Sequence, residues 1–305
     1  MPALSALPQF ICPICQSPLI MGTSVWQCTA HNQLNSPPRY HSFDVAKQRY
    51  INLLPVQQKK SKQPGDSEAS VLARQRFLQA GFYKNFADTL LDFCQRNLQV
   101  HLDSQAINWL DIGCGEGYYT EQFLNLNPTT LIAMDISKPA ILATTKRLKA
   151  HATTQSQIIP LVATASQMPL ADSSVTVISS IFSPILPEEF SRLLSDGGYV
   201  FIAKPAPNHL IELRQALFDT VIEHDSDKFI EQMADKFSLM NSEIVTNNIV
   251  VNAENLGDLL TMTPYSYRAK PEKRQALLTQ VTHQGEMAIT VAFVVYGFRK
   301  LSLGS

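Results

Sequence analysis

Trp109-Leu110-Asp111-Ile112-Gly113-Cys114-Gly115-Glu116-Gly117-Tyr118-Tyr119 decides the reading of this chain. The run from Ile107 to Ile112 reads as a buried strand, and three glycines at alternate positions turn it into a helix near Tyr118. In such an arrangement backbone N–H groups approach a nucleotide-like ligand closely. Spacing selects the ligand. A G-x-G-x-x-G dinucleotide fingerprint needs glycine at 118, where Tyr118 stands, and a phosphate-cradling P-loop needs a terminal Gly-Lys-Ser/Thr, which does not follow. What remains is an acidic residue followed by alternate glycines (Asp111, Gly113, Gly115, Gly117, with Glu116 among them), the pattern associated with S-adenosylmethionine, whose amino-acid end is zwitterionic and carries no phosphate. The next apolar strand closes on Asp135 and Ile136, with Asp135 standing 18 residues past Gly117. A carboxylate there can accept both ribose hydroxyl hydrogens. The plainer alternatives are an ordinary strand-to-helix turn at the glycines and a helix cap at Asp135.

Outward from that loop, apolar segments alternate between strand-like and helix-like, the mark of a mostly parallel sheet covered on both faces. Strands are expected at 106–112, 130–135, 157–163, 174–182, 197–204, 243–251 and 288–298, and helices at 84–98, 118–126, 138–150, 187–194, 208–222, 253–262 and 271–282. This predicts an α/β fold, a doubly wound seven-stranded sheet of the class I S-adenosylmethionine-dependent methyltransferase type. Ligands of open α/β sheets lie beyond the carboxyl ends of the strands. That rule gathers Gly113–Gly117, Asp135, 163–167, 179–184 and 204–209 around one crevice. Ser166, in the loop Thr164 to Leu170, is placed to face an adenine, or belongs to a solvated connection.

The 305-residue chain is 45% hydrophobic and 17% charged, enough for a large core. No apolar run of membrane-spanning length occurs, and Met1 to Phe10 lacks the basic start and apolar core of a leader, so a cytoplasmic protein with no membrane partner is expected. The net charge of −1 conceals an asymmetry: residues 1–85 carry nine Lys and Arg against three Asp and Glu (+6), and residues 86–305 carry sixteen against twenty-three (−7). A basic head on an acidic body suits a polyanionic partner. Three of the five cysteines fall in the first thirty residues. Cys12-Pro13-Ile14-Cys15 and Cys28 have zinc-ribbon spacing, and both His31 and His41 can supply the fourth ligand. A redox C-x-x-C is the rival chemistry, opposed by Pro13 and the third cysteine. Downstream, Lys59, Lys60, Lys62, Arg74 and Arg76 are candidate phosphate contacts, and a helix is expected from about Ser70 to Ala80 after the turn at Pro64-Gly65-Asp66-Ser67. The expected organisation is a zinc-binding head over 1–60, a linker and helix over the active site at 61–85, and a methyltransferase domain over 86–305.

Tyr40-His41-Ser42-Phe43-Asp44-Val45-Ala46-Lys47, Tyr50-Ile51-Asn52-Leu53-Leu54-Pro55, the 64–67 turn, the glycine loop and Met262-Thr263-Pro264-Tyr265-Ser266-Tyr267-Arg268 together closely resemble the 23S ribosomal RNA guanine-N(1)-methyltransferases with an N-terminal zinc finger. The resemblance spans nearly the whole chain. It implies zinc on Cys12, Cys15, Cys28 and His41, and S-adenosylmethionine contacts at Tyr83, Gly115, Glu116 and His209. It also implies a homodimer whose paired surfaces form an RNA cleft. This chain departs from the family pattern at Ser180-Ile181-Phe182-Ser183-Pro184, where relatives carry Arg-Ile-Tyr before a small residue and Pro.

The expected reaction is methyl transfer to N(1) of a guanine in a 23S rRNA hairpin, with Tyr265 and Tyr267 available to stack on the base or to seal a helix connection. No residue identifies itself as general base. A small-molecule methyltransferase would share the glycine loop but does not need a metal-bound basic head. A non-catalytic zinc-dependent RNA-binding protein would not need the intact loop.

Overall fold

The computed structural model describes residues 7–29, 40–59, 61–102, 106–151, 156–221 and 228–302. In the head, β1 (Leu19–Met21), β2 (Val25–Cys28) and β3 (Ser42–Asp44) form a small antiparallel sheet in which Leu19 faces Cys28 and Gln27 faces Ser42. The main sheet is built from β4 (Ile51–Asn52), β5 (Asn108–Ile112), β6 (Thr130–Asp135), β7 (Gln157–Val162), β8 (Val175–Ile181), β9 (Leu194–Pro205), β10 (Phe237–Val251) and β11 (Met287–Lys300). Its order is β10-β11-β9-β8-β5-β6-β7-β4. Strands from β4 through β9 pair in parallel, and β11 runs antiparallel to both β9 and β10. Every position of β5 is buried, as a parallel strand covered on both faces requires.

The seven expected strands are present, and β4 adds an eighth at the edge. Ile51 pairs with Leu161, and Ile51 and Leu53 are fully buried, so the chain leaving the head becomes part of the sheet. A two-residue strand is too short to show periodicity. Other differences lie at boundaries: β9 and β10 begin earlier than expected, and the helix expected over 208–222 is α6 (Ile211–Leu217), because Leu210 turns the chain at φ +53°.

The remaining helices are α1 (Glu68–Gln79), α2 (Lys84–Leu102), α3 (Tyr118–Phe123), α4 (Lys138–Leu148), α5 (Pro187–Leu193), α7 (Lys228–Met233), α8 (Ala253–Met262), α9 (Tyr265–Arg268) and α10 (Pro271–Gln284). Ser67 caps α1, accepting from the Ser70 N–H at 3.2 Å, and Ser137 caps α4, accepting from Ala140 at 3.2 Å. None of the described helices is long and apolar enough to cross a membrane.

Two buried clusters flank the sheet. One gathers Trp109, stacked on Phe123 at 4.5 Å, with Phe77, Tyr83, Phe86 and Phe293. The other joins Phe10 and Trp26 of the head to Leu53, Ile112 and Leu170 of the body. Head and body therefore share a core.

Candidate active site and metal centre

β5 hydrogen-bonds to β6 on one side and β8 on the other, so the strand order reverses between β5 and β8. Crevices at such a switch point receive ligands. The register sets Ile112 beside both Met134 and Ser180, which brings the glycine loop, Asp135 and the turn after β8 to one level. Gly113 has φ +68°, and a Cβ there would lie 2.5 Å from the Ser183 Cβ, so only glycine lets the loop pass this close. Gly117, at φ +86°, opens α3.

Asp135 accepts from the Gly115 N–H at 3.0 Å and from the Ser137 N–H at 2.7 Å, one bond to each carboxylate oxygen. Burial pushes its carboxyl above the usual range, and those two amides oppose the shift. An ionised carboxylate offers about four acceptor sites. Two are taken by the chain and two are left for the hydroxyls of a ribose, so the residues fit S-adenosylmethionine. Gly65 lies against Ile136 and Ser137, and the Ser137 hydroxyl donates to the Asp66 carbonyl at 2.7 Å, so the 64–67 turn borders the same edge.

Asp111 lies in β5, one residue before the strand ends. It is buried, with one oxygen receiving the Thr120 hydroxyl and the other the Ser179 hydroxyl, each at 2.6 Å. It ties the start of α3 and β8 to the glycine loop. Glu116 is likewise buried and accepts both Nε and Nη2 of Arg147 at 2.9 and 2.7 Å. Sequence reasoning missed Arg147, because α4 meets the loop only in the folded chain.

Burial raises the Asp111 carboxyl from 3.8 to about 6, against the lowering effect of the Ser179 and Thr120 hydroxyls. The folded value lies above the unfolded one, so this group favours the fold below about pH 4. That contribution is lost as pH rises to about 6, with a constant cost of roughly 3 kcal/mol above it. Asp111→Asn cannot ionise. Its unfolding free energy relative to wild type is therefore expected to improve by roughly 2–3 kcal/mol between pH 4 and pH 7, measured by urea denaturation. Parallel pH profiles for the two proteins would reject an ionised, desolvated carboxylate here.

Tyr83 and His209, 126 positions apart in the chain, meet across Phe293 with ring centroids 5.1 and 4.4 Å from it. Ser166 is exposed at the rim, 3.0 Å from the Thr164 hydroxyl. Lys59 and Lys62 are exposed, and Lys60 lies outside the described residues. Arg74 pairs with Asp66, donates to the Met262 carbonyl at 3.1 Å and stands over Gly115. Arg76 forms a two-pronged pair with Asp258 at 2.5 and 3.0 Å. Tyr265 packs near Phe218 and Tyr267 is exposed. An aromatic group was not foreseen: Phe86, Tyr119, Phe182 and Phe293 converge from four segments at the end of β8.

In the head, Cys12, Cys15, Cys28 and His41 bring one ligand atom each within 4.8 Å of all the others. The His41 Nδ1 lies 3.6 Å from the sulfurs of both Cys12 and Cys28, and Cys15 and Cys28 are 3.7 Å apart sulfur to sulfur. Tetrahedral zinc with bonds of about 2.3 Å to sulfur and 2.0 Å to nitrogen spaces its ligands by roughly 3.5–3.8 Å, so the donor set fits zinc. With all four positions filled by protein the centre is structural. The local fold explains the grouping: β1 and β2 set Cys28 beside the Cys12–Cys15 corner, and the Cys28 N–H donates to the His41 carbonyl at 3.0 Å. His31 lies outside the described residues.

Two family models match the chain: "RlmA, N-terminal", a zinc ribbon, over residues 10–62, and "Methyltransferase domain" over residues 110–198. Among curated proteins, the chain is 27% identical to the 23S rRNA (guanine(748)-N(1))-methyltransferase of Streptomyces fradiae, covering 93% of this chain and 95% of that protein. It is 25% identical to a Micromonospora griseorubida protein to which a 23S rRNA (guanine-N(1)-)-methyltransferase activity is ascribed, over 95% and 97%. A Bacillus subtilis protein with the same ascribed activity is 29% identical over 68% of each chain.

Proposed function

We propose that this zinc-ribbon methyltransferase, a member of the 23S rRNA (guanine-N(1))-methyltransferase family, transfers a methyl group from S-adenosylmethionine to N(1) of a guanine in a 23S rRNA hairpin. The observation that carries the reading is the junction of metal head and cofactor crevice. Ile11 donates to the Pro169 carbonyl at 3.1 Å, the Ala171 N–H to the Gln9 carbonyl at 2.8 Å, and Gln58 to Gln167 at 2.7 Å. The loop that flanks the expected adenine site is thus bonded to the zinc ribbon, an attachment a small-molecule substrate does not call for.

S-adenosylmethionine supplies a methyl group on a sulfonium, which leaves by in-line displacement. The chain's own task is chiefly to position. Asp135 holds the ribose hydroxyls, Gly113, Gly115 and Gly117 let the loop backbone approach, Ile136 and Ser166 border the nucleoside, and Tyr83 and His209 face the crevice across Phe293. Glu116 contributes by way of Arg147, and Asp111 by fixing the loop. Lys59 and Lys60 on the head and Lys62 just beyond it provide phosphate contacts. Arg74 and Arg76 approach RNA as the paired partners of Asp66 and Asp258. Residues 1–60 act as the RNA-recognition head, 61–85 as the segment over the active site and 86–305 as the transfer domain. The protein works as a cytoplasmic homodimer, the partner completing an RNA cleft.

Incubating the protein with labelled S-adenosylmethionine and undermethylated 23S rRNA, then mapping reverse-transcription stops, tests the reading. A single stop one nucleotide before a guanine is expected, since methylation at N(1) blocks base pairing. Label confined to small molecules would overturn it.

A further inference from the structure

We infer that Phe182 is the platform on which the target guanine stacks during methyl transfer; this rests on the reading of the protein as a guanine methyltransferase. Phe182 follows β8 directly, at the switch point. Its neighbour Ser183 presses on Gly113, the first glycine of the cofactor loop. The ring is therefore within one residue of the chain that approaches the cofactor.

The backbone is unusual here. Phe182 has φ +57°, a conformation that bulky side chains avoid and that persists only where surrounding structure imposes it. The imposing contacts are present. The Phe182 N–H donates to the Ala203 carbonyl at 3.0 Å, the Ser183 hydroxyl donates to the Ile112 carbonyl at 2.6 Å, and the Ser180 and Ser183 hydroxyls share a hydrogen bond of 2.7 Å. The two serines lock the turn.

The turn presents the ring in a distinctive way. Phe182 lies on a floor of Phe293, Phe86 and Tyr119 with centroids 4.7, 5.4 and 5.9 Å away. Phe293 and Phe86 are 1% and 2% exposed, whereas Phe182 remains 40% exposed. A strained aromatic held against a buried aromatic floor, with its remaining surface open beside the methyl-donor loop, suits a planar purine. RNA readers commonly seat extruded bases on such rings. A second feature points to a ligand: the Tyr119 hydroxyl is buried and has no hydrogen-bond partner among the described residues. The exposed Tyr267 has no comparable floor among the described rings.

Base–aromatic stacking is worth about 1–3 kcal/mol, or roughly 5- to 150-fold. Phe182→Leu, which keeps an apolar side chain but loses the π face, is expected to lower kcat/KM for 23S rRNA by about 10-fold or more. Its S-adenosylmethionine affinity by calorimetry should stay within about threefold of wild type, and Phe182→Tyr should restore most of the rate. Phe182→Trp adds a direct reporter, because the chain's own tryptophans, Trp26 and Trp109, are buried. With S-adenosylhomocysteine bound, its added fluorescence should be quenched by the rRNA hairpin. Full activity in the leucine variant, an equal loss of cofactor affinity and rate, or no quenching in the tryptophan variant would each overturn the inference. Wild-type protein that leaves rRNA unlabelled would instead overturn the underlying function.

Discussion

Cys12→Ser is expected to release the metal, unfold the head and abolish RNA methylation. The head's three strands have three, four and three residues, too few for a sheet to stand on its own. A structural zinc site supplies about 10–16 kcal/mol to small fingers, so the fold of this segment depends on it. Cys12 is fully buried, and burial pushes its thiol up, which a bound cation would oppose. Metal analysis should fall from about one zinc per chain to below about 0.1, and trypsin should cut at Lys47 and Arg49 within minutes. The body should keep its central sheet, because β5 to β11 pair with one another without the head, but it will lose support at the β4 edge and in the shared core. The 163–171 loop will loosen as its bonds to Gln9 and Ile11 are lost, lowering cofactor affinity by a few-fold. His41→Ala should act in the same direction, while Cys94→Ala, remote from the cluster, should retain its zinc. Full zinc occupancy in the Cys12 variant, or an intact protease-resistant head without metal, would contradict this account.

Asp135→Ala is expected to weaken S-adenosylmethionine binding by about 100-fold or more. Hydrogen bonds to an ionised group contribute about 1.5–3 kcal/mol each, and the carboxylate has two acceptor sites free for ribose hydroxyls. Asp135→Asn should be nearly as damaging. Both carboxylate oxygens accept from backbone N–H groups, of Gly115 and Ser137, so an amide NH2 would set donor against donor at one of them. The asparagine variant therefore loses the charge and also disturbs the glycine loop. Calorimetric titration with S-adenosylmethionine and S-adenosylhomocysteine checks both variants, with zinc content confirming that the rest of the chain is folded. Affinity within about threefold of wild type for the alanine variant would remove Asp135 from the cofactor site.

The residues that the sequence exposed most clearly are those whose partners lie close along the chain. Alternate glycines and a strand-ending aspartate follow from the local demands of backbone approach and strand length. Cys12, Cys15 and Cys28 are a short-range ligand pattern, although spacing left His31 and His41 level. Charge was read less well. Arg74 and Arg76 look like free cations in a basic segment, but Asp66 stands in a turn beyond the start of their helix and Asp258 on a helix 182 positions from Arg76. Only folding brings those carboxylates to them.

By itself the sequence determined the class of fold, the kind of cofactor and the presence of a metal ribbon, because each is set by hydrophobic period or ligand spacing within a few dozen residues. The tertiary structure decided what joins them. Ile51 extends the sheet by pairing with Leu161, Asp111 spends its carboxylate on Thr120 and Ser179, and Phe86, Tyr119, Phe182 and Phe293 assemble one aromatic floor. Such contacts depend on which strand ends and helix faces meet when the apolar surfaces of distant segments are buried together, and no local pattern records that.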